Sequence, residues 1–92
     1  MYALKYSTRA EKALKNLPCQ VGKRIYNAME KIRENPRAHV EMMEHSKYSD
    51  SLFKYRVGDY RIIMSLFDNE LIILVVDVGP RKSIYKKYGG KG

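Results

Sequence analysis

The side chains able to do chemistry fall into two cationic clusters late in the chain. Lys54, Arg56 and Arg61 flank Gly58-Asp59, while Arg81, Lys82, Lys86, Lys87 and Lys91 follow Val78 with no acidic residue between Pro80 and Gly92, and Tyr85 and Tyr88 stand among them. Arginine forks grip phosphate oxygens in pairs, and a tyrosine can stack on a base or move a proton through its hydroxyl. The ligand that suits such a set is a flexible phosphodiester backbone. The plain alternative is a row of solvated cations on an exposed sheet face, which needs no partner. A second cluster arriving beside the first weighs against that alternative.

Other chemistries fit less well. Metal-dependent phosphodiester cleavage uses clustered carboxylates, whereas Asp50, Asp59, Asp68, Glu70 and Asp77 are scattered at turns or among cations, so no metal and no cofactor is expected. His39 and His45 sit in a weakly patterned stretch, where a surface role is the ordinary one for histidine. Cys19 is the single cysteine; it has no second thiol for a disulfide or zinc site and no evident base, which leaves a reduced, inert thiol. What remains is metal-free cleavage of RNA, in which the 2′-hydroxyl attacks its own phosphate. The protein must then orient the strand, neutralise the phosphorane oxygens, and move protons off the 2′-oxygen and onto the 5′-oxygen. Arginines serve the second task. Lys54 or Tyr85 would serve the third, because crowded cations favour proton release from groups that titrate at about 10 when free.

These side chains need a frame, and the chain patterning supplies one. Met1 to Tyr6 alternates as a strand. Thr8 with Glu11 has the form of a capping box, and Ala10, Ala13, Leu14 and Leu17 repeat at helical spacing until Pro18. A second helix is expected from about Gln20 to Asn35, its apolar stripe formed by Val21, Ile25, Ala28, Met29 and Ile32, and Asn35-Pro36 stops it. Arg37 to Asp50 reads as a loop with a turn of helix near Val40 to Met43. Leu52 to Val57, Tyr60 to Phe67 and Leu71 to Val78 then read as three antiparallel strands, joined at Gly58-Asp59 and Asp68-Asn69. The expected fold is α+β: an N-terminal strand, and a two-helix hairpin packed on one face of a small antiparallel sheet completed by the three C-terminal strands.

A two-residue loop at Gly58-Asp59 sets Val57 opposite Tyr60, Arg56 opposite Arg61, Tyr55 opposite Ile62 and Phe53 opposite Met64. One face then collects Phe53, Tyr55, Val57, Tyr60, Ile62, Met64 and Leu66 for the helices, and the other begins with Lys54, Arg56 and Arg61. Two arginines directly opposed destabilise a sheet by a few tenths to about 1 kcal/mol, which points to an anionic ligand on that face. A second tight turn would return the last strand beside Tyr60 and Arg61 and bring Arg81 close to Arg61.

The bulk properties agree. Ninety-two residues with 45% hydrophobic and 30% charged side chains make one ordinary domain, 1–92, ending in a short basic tail from about 86 to 92. The longest apolar run, Leu71 to Val76, is far short of the roughly 20 residues that span a bilayer, and Met1 leads into a strand pattern with no signal-peptide character, so a cytoplasmic protein with no membrane partner is expected. Eighteen Lys and Arg against 10 Asp and Glu give +8, a sign that nucleic acid, an anionic membrane and an acidic protein all fit and among which net charge does not choose.

The stretch Phe53-Lys54-Tyr55-Arg56-Val57-Gly58-Asp59-Tyr60-Arg61-Ile62-Ile63, the later Val78-Gly79-Pro80-Arg81-Lys82-Ser83-Ile84-Tyr85 and the Asn35-Pro36-Arg37 helix stop resemble the RelE toxins of the RelE/ParE superfamily over nearly the whole chain. That resemblance implies a type II toxin, held inactive by a cognate RelB-like antitoxin, that enters the ribosomal A site and cuts bound mRNA. It implies contact with operator DNA only through the toxin-antitoxin complex. By position, Arg61 and Arg81 match the family's transition-state arginines, Lys54 a lysine acting as base or charge stabiliser, and Tyr85 the C-terminal tyrosine that stacks on or protonates substrate. Arg56, Lys82, Lys86, Lys87 and Tyr88 are the expected RNA-binding residues around them. Leu52 stands where some members carry a second lysine, and Pro80 where the residue is often histidine or basic. Two further readings keep the fold: a ParE-like toxin that inhibits DNA gyrase by protein contact, and a nucleic-acid-binding module without activity.

Overall fold

The computed structural model describes residues 1–43 and 52–89, so that His45, Asp50 and Lys91 lie outside the described residues. In chain order the elements are β1 (Ala3–Tyr6), α1 (Thr8–Lys15), α2 (Cys19–Ile32), a 3-10 turn (Pro36–Ala38), β2 (Glu41–Met42), β3 (Leu52–Val57), β4 (Tyr60–Phe67), β5 (Ile72–Pro80) and α3 (Arg81–Tyr88). The strands form one five-stranded sheet in the order β1-β5-β4-β3-β2. This is the expected α+β arrangement with a mixed sheet, because β1 pairs with β5 in parallel. Alternation within Met1 to Tyr6 could identify a strand but carried no information about its direction.

Helix α1 starts one residue earlier than the capping box implied. Ser7, not Thr8, is the cap, its Oγ accepting from the Ala10 N–H at 3.1 Å while donating to the Val76 carbonyl at 2.7 Å. The cap therefore also ties α1 to the sheet. Helix α2 buries Ile25, Met29 and Ile32 at spacings of four and three, as the stripe required, but ends at Ile32 rather than Asn35. Arg33 holds that end against β1: its Nε donates to the Tyr2 carbonyl at 2.8 Å and its carbonyl accepts from the Tyr2 N–H at 2.9 Å. The helical turn expected near Val40 to Met43 lies instead at Pro36–Ala38, and Glu41–Met42 adds β2 to the edge of β3.

The hairpin register is the predicted one: Val57 faces Tyr60, Arg56 faces Arg61, Tyr55 faces Ile62 and Phe53 faces Met64. Gly58 has φ +58° and the Asp59 φ is not positive, the type II′ pattern whose twist suits a two-residue hairpin. The second connection is longer than the expected Asp68-Asn69 turn. It spans residues 68–71, with Leu71 at φ +54°, and β5 returns with Tyr60 opposite Pro80 and Arg61 opposite Gly79.

A bulge at Val76 then reverses the parity of β5. Ile63 pairs with Asp77 but Met64 pairs with Val75, so Val75 and Val78 both enter the core beneath α1 and α2, and Asp77 turns to the other side. That other side is not open, as the sequence reading assumed. The expected tail folds through residue 88 as α3 and covers it, burying Ile84 and Tyr88 with Met43, Leu52 and Ile63 in a second core. Each such aliphatic side chain contributes about 1.5–3 kcal/mol by leaving water, enough in sum to hold a short helix down.

Candidate functional site

Lys54, on β3, points to the α3 side of the sheet, where its Nζ lies 3.9 Å from Glu41 Oε2 across the β2 edge and 5.8 Å from the centroid of the Tyr85 ring. Its side chain is only 15% exposed. Arg81 opens α3 and sets its guanidinium 5.6 Å from the same ring. Tyr85 therefore has two cations close to its ring. Such contacts are worth about 0.5–1 kcal/mol when exposed and about 2 when desolvated, so they fix the ring more than they stabilise the fold. The Tyr85 hydroxyl is buried and has no hydrogen-bond partner among the described residues. A buried hydroxyl in that state costs about 1–3 kcal/mol, which an oxygen supplied by a ligand would recover.

Arg61 is buried, and its Nη1 donates to the Gly58 carbonyl at 3.0 Å and the Tyr60 carbonyl at 2.9 Å. The backbone of the hairpin turn thus orients the guanidinium plane. With His39, Glu41, Lys54 and Arg56 it lines a concavity of about 40 Å³. Lys54 is the common neighbour that joins this concavity to the Arg81–Tyr85 pair. At the backbone level the approach of the two clusters is fixed by the Arg81 N–H, which donates to the Asp59 carbonyl at 2.9 Å.

The remaining predicted RNA-binding residues divide. Arg56, Lys82 and Lys86 are exposed, and Lys87 is exposed but stands 3.8 Å from Asp77 Oδ2. Tyr88 does not reach the surface at all: it is 4% exposed and donates its O–H to Asp77 Oδ2 at 2.8 Å. Burial, and then that bond to a carboxylate, push its phenol up to about 12. Asp77 was read as one of several scattered acids, yet it is 1% exposed and also accepts the Val78 N–H at 2.8 Å, with Arg9 Nη1 at 3.9 Å. It ties β5 to the last turn of α3, and so holds the helix that carries Arg81 and Tyr85.

Sequence reading missed three contributors. Glu41 has no signal because a strand of two residues has no period to detect, and His39 stands just past the 3-10 turn, which has none either. Asp77 needed the bulge at Val76 to face α3. Among the described residues, no group of three or more His, Cys, Asp or Glu could hold a metal ion, and no helix is long and apolar enough to cross a membrane.

Residues 4–85 match the family model described as the ParE toxin of the type II toxin-antitoxin system parDE. Among solved structures, the chain superposes on the toxin-antitoxin complex RelBE2 from Mycobacterium tuberculosis with a TM-score of 0.78 at 20% identity, covering 87% of this chain and 98% of that one. A free variant of the Escherichia coli toxin RelE gives 0.73 at 21% identity over 94% of this chain and 92% of that one. The archaeal RelE–RelB complex from Pyrococcus horikoshii gives 0.70 at 26% identity over 87% and 94%. No curated protein sequence matches.

Proposed function

The chain belongs to the ParE toxin family of type II toxin-antitoxin systems, within the RelE/ParE superfamily and with a RelE-like fold, and from that premise we propose that it is a single-domain, ribosome-dependent endoribonuclease that cleaves mRNA without metal and is restrained by a cognate antitoxin. The observation that carries this reading is the Tyr85 ring with Lys54 Nζ and Arg81 Cζ both within 6 Å of its centroid, beside the backbone-anchored Arg61. A toxin working by protein contact alone has no use for two cations closing on one tyrosine ring beside an anchored arginine.

In the proposed reaction the 2′-oxygen attacks the adjacent phosphorus, the P–O5′ bond breaks, and the products are a 2′,3′-cyclic phosphate and a 5′-hydroxyl. Arg61 and Arg81 meet the charge that grows on the phosphorane oxygens; such groups act best when oriented beforehand. Lys54 Nζ takes the 2′-proton or shares that charge, and Tyr85 stacks on a base and offers its O–H to the departing 5′-oxygen. Arg56, Lys82 and Lys86 hold flanking phosphates. The antitoxin partner follows from relatives crystallised as RelB–RelE complexes, and operator DNA would be met only through that complex.

Primer extension on mRNA in a translating extract tests the reading: cuts within codons are expected with the wild-type protein and none with Arg81→Ala. The family description names a ParE toxin, and the ParE-like resemblance keeps a second reading, inhibition of DNA gyrase by protein contact. Intact mRNA together with broken, gyrase-bound DNA would establish that one instead.

A further inference from the structure

The face of α2 turned away from the core forms the wall of a second, larger groove. Gln20, Lys23, Arg24, Asn27 and Lys31 line it, and Val57 closes it on the hairpin side, around about 480 Å³. All five α2 side chains are exposed, and the lining contains no carboxylate. The acid nearest in sequence on that helix, Glu30, is engaged elsewhere, 2.8 Å from Arg33 Nη1. Among the described residues, Lys23, Arg24 and Lys31 form no ion pair, whereas Arg33, Arg37, Lys54 and Lys87 each stand beside an acid.

One of these cations is seated rather than loose. An ideal Cβ placed on Gly58 would lie 3.1 Å from both Nη1 and Nη2 of Arg24 and 3.3 Å from its Cζ, so the guanidinium lies flat against the bare Cα of the turn. Arg61 donates to the carbonyl of that same Gly58. The tip of the hairpin therefore carries one arginine on each side. The cationic surface runs from the Lys54–Arg61 concavity, round Gly58, into the α2 groove. Unpaired cations in a row, at the level of helix turns and continuous with a phosphate-gripping site, suit a repeating anion rather than a single one.

We infer that the α2 groove, seated on Gly58 through Arg24, holds the phosphate backbone of the RNA beyond the scissile linkage. This inference rests on the reading that the protein acts on RNA. Lys23, Arg24 and Lys31 take successive phosphates, while Gln20 and Asn27 offer amide donors between them. Solvated lysines of this kind add affinity and salt dependence without reading sequence.

The test measures salt-dependent binding of a 2′-O-methylated RNA of about a dozen nucleotides, which cannot be cut by 2′-attack, to the wild type and to the triple variant Lys23→Gln/Arg24→Gln/Lys31→Gln. Each phosphate neutralised on a single strand contributes ~0.7 to the slope of log affinity against log salt, so the variant's slope should be shallower by about 2. Over a fourfold rise in salt it should lose roughly 20-fold less affinity than the wild type. The charge-preserving variant Lys23→Arg/Arg24→Lys/Lys31→Arg should keep the wild-type slope. An unaltered slope in the triple variant overturns the inference, as does a triple variant that loses binding to poly-glutamate while binding RNA as before, which would assign the groove to an acidic protein. The two readings fail separately: a shallower slope with no mRNA cleavage by the wild type ends the nuclease assignment and keeps the groove, and cleavage with an unaltered slope does the reverse.

Discussion

Two cationic regions meet at Gly58, and they are built on opposite terms. On the α3 side, Lys54 is 15% exposed beside Glu41, Arg61 is anchored on two backbone carbonyls, and Arg81 is fixed at the head of a helix whose far end is bonded to Asp77. On the α2 side, Lys23 and Lys31 are exposed with no acid beside them, and only Arg24 has a fixed seat. Partly desolvated charges act strongly over short distances, while exposed ones are weakened by water and screened by salt within about 10 Å. The first arrangement suits a transition state, which rewards orientation set before substrate arrives. The second suits grip, which needs charge but tolerates motion. One small sheet can thus separate rate from affinity by placing oriented cations on one side and loosely held ones on the other.

The sharpest way to break that division is Arg81→Ala. Loss of one oriented charge-stabilising group costs about 10²–10³ in rate, and little stability should follow because Arg81 is exposed and its bond to Asp59 uses the backbone. Primer extension should show cleavage falling by that factor while the salt slope for RNA binding changes by no more than one phosphate. A rate within threefold of wild type would mean that the α3 side is not where reaction occurs.

Next in size is Asp77→Ala, which strips the acceptor from the Tyr88 O–H and the Val78 N–H. Leaving buried donors unpaired costs about 1–3 kcal/mol, measurable by urea unfolding, and amide exchange should quicken in α3. Because α3 carries Arg81 and Tyr85, cleavage should fall, with RNA binding through the α2 groove retained. Asp77→Asn keeps an acceptor oxygen and should recover most of both losses. Equal losses in Asp77→Ala and Asp77→Asn would show that the bond to Tyr88 does not hold the helix.

Gly58→Ala tests the junction itself. A left-handed φ costs a residue with a Cβ roughly 1–2 kcal/mol, and the added methyl also meets the Arg24 guanidinium. It is the one substitution expected to move both readouts together, lowering the cleavage rate through Arg61 and flattening the salt slope through Arg24. A change in only one would show that the two sides do not share the turn.

What the sequence disclosed follows the same physical divide. Gly58-Asp59 between two alternating runs fixed the hairpin register residue by residue, because a two-residue loop leaves the pairing no freedom. The α2 stripe was equally plain, since Ile25, Met29 and Ile32 carry a helical period. Features set by single contacts across space were not visible. The bulge at Val76, which turns Asp77 toward α3, has no local signature. No helix is expected over 81–88, and the residues from about 86 read as a basic tail, because only Ile84 and Tyr88 of that helix are buried, too few to make a period, and Tyr88 gains its place from an acid eleven residues earlier. At the site, strand parity made the shared face of Lys54, Arg56 and Arg61 legible and the second turn pointed to Arg81 returning beside Arg61, whereas Glu41 depended on a two-residue strand. Nothing local in the sequence marks Arg24; its guanidinium rests against Gly58, where there is no Cβ to exclude it.

The mildest perturbation leaves the covalent chain untouched. The Tyr88 phenol is pushed up to about 12 by burial and its bond to Asp77, against about 10 when free. A raised folded value means that the folded state favours the protonated form, so the stabilisation is complete below pH 10 and disappears as pH climbs toward 12. Tyr6 is also pushed up to about 12, by burial, and the Tyr2 phenol is raised by its bond to Asp68, so the wild type alone would mix several titrations. Comparison with Tyr88→Phe separates them. The urea midpoint of the wild type should exceed that of Tyr88→Phe by a constant amount from neutrality to about pH 10, and the gap should then close as the phenolate forms beside Asp77. A gap that stays open through that range would mean the phenol keeps its proton for reasons other than Asp77, and the anchored side of the molecule would owe its order to Ile84 and the second core instead.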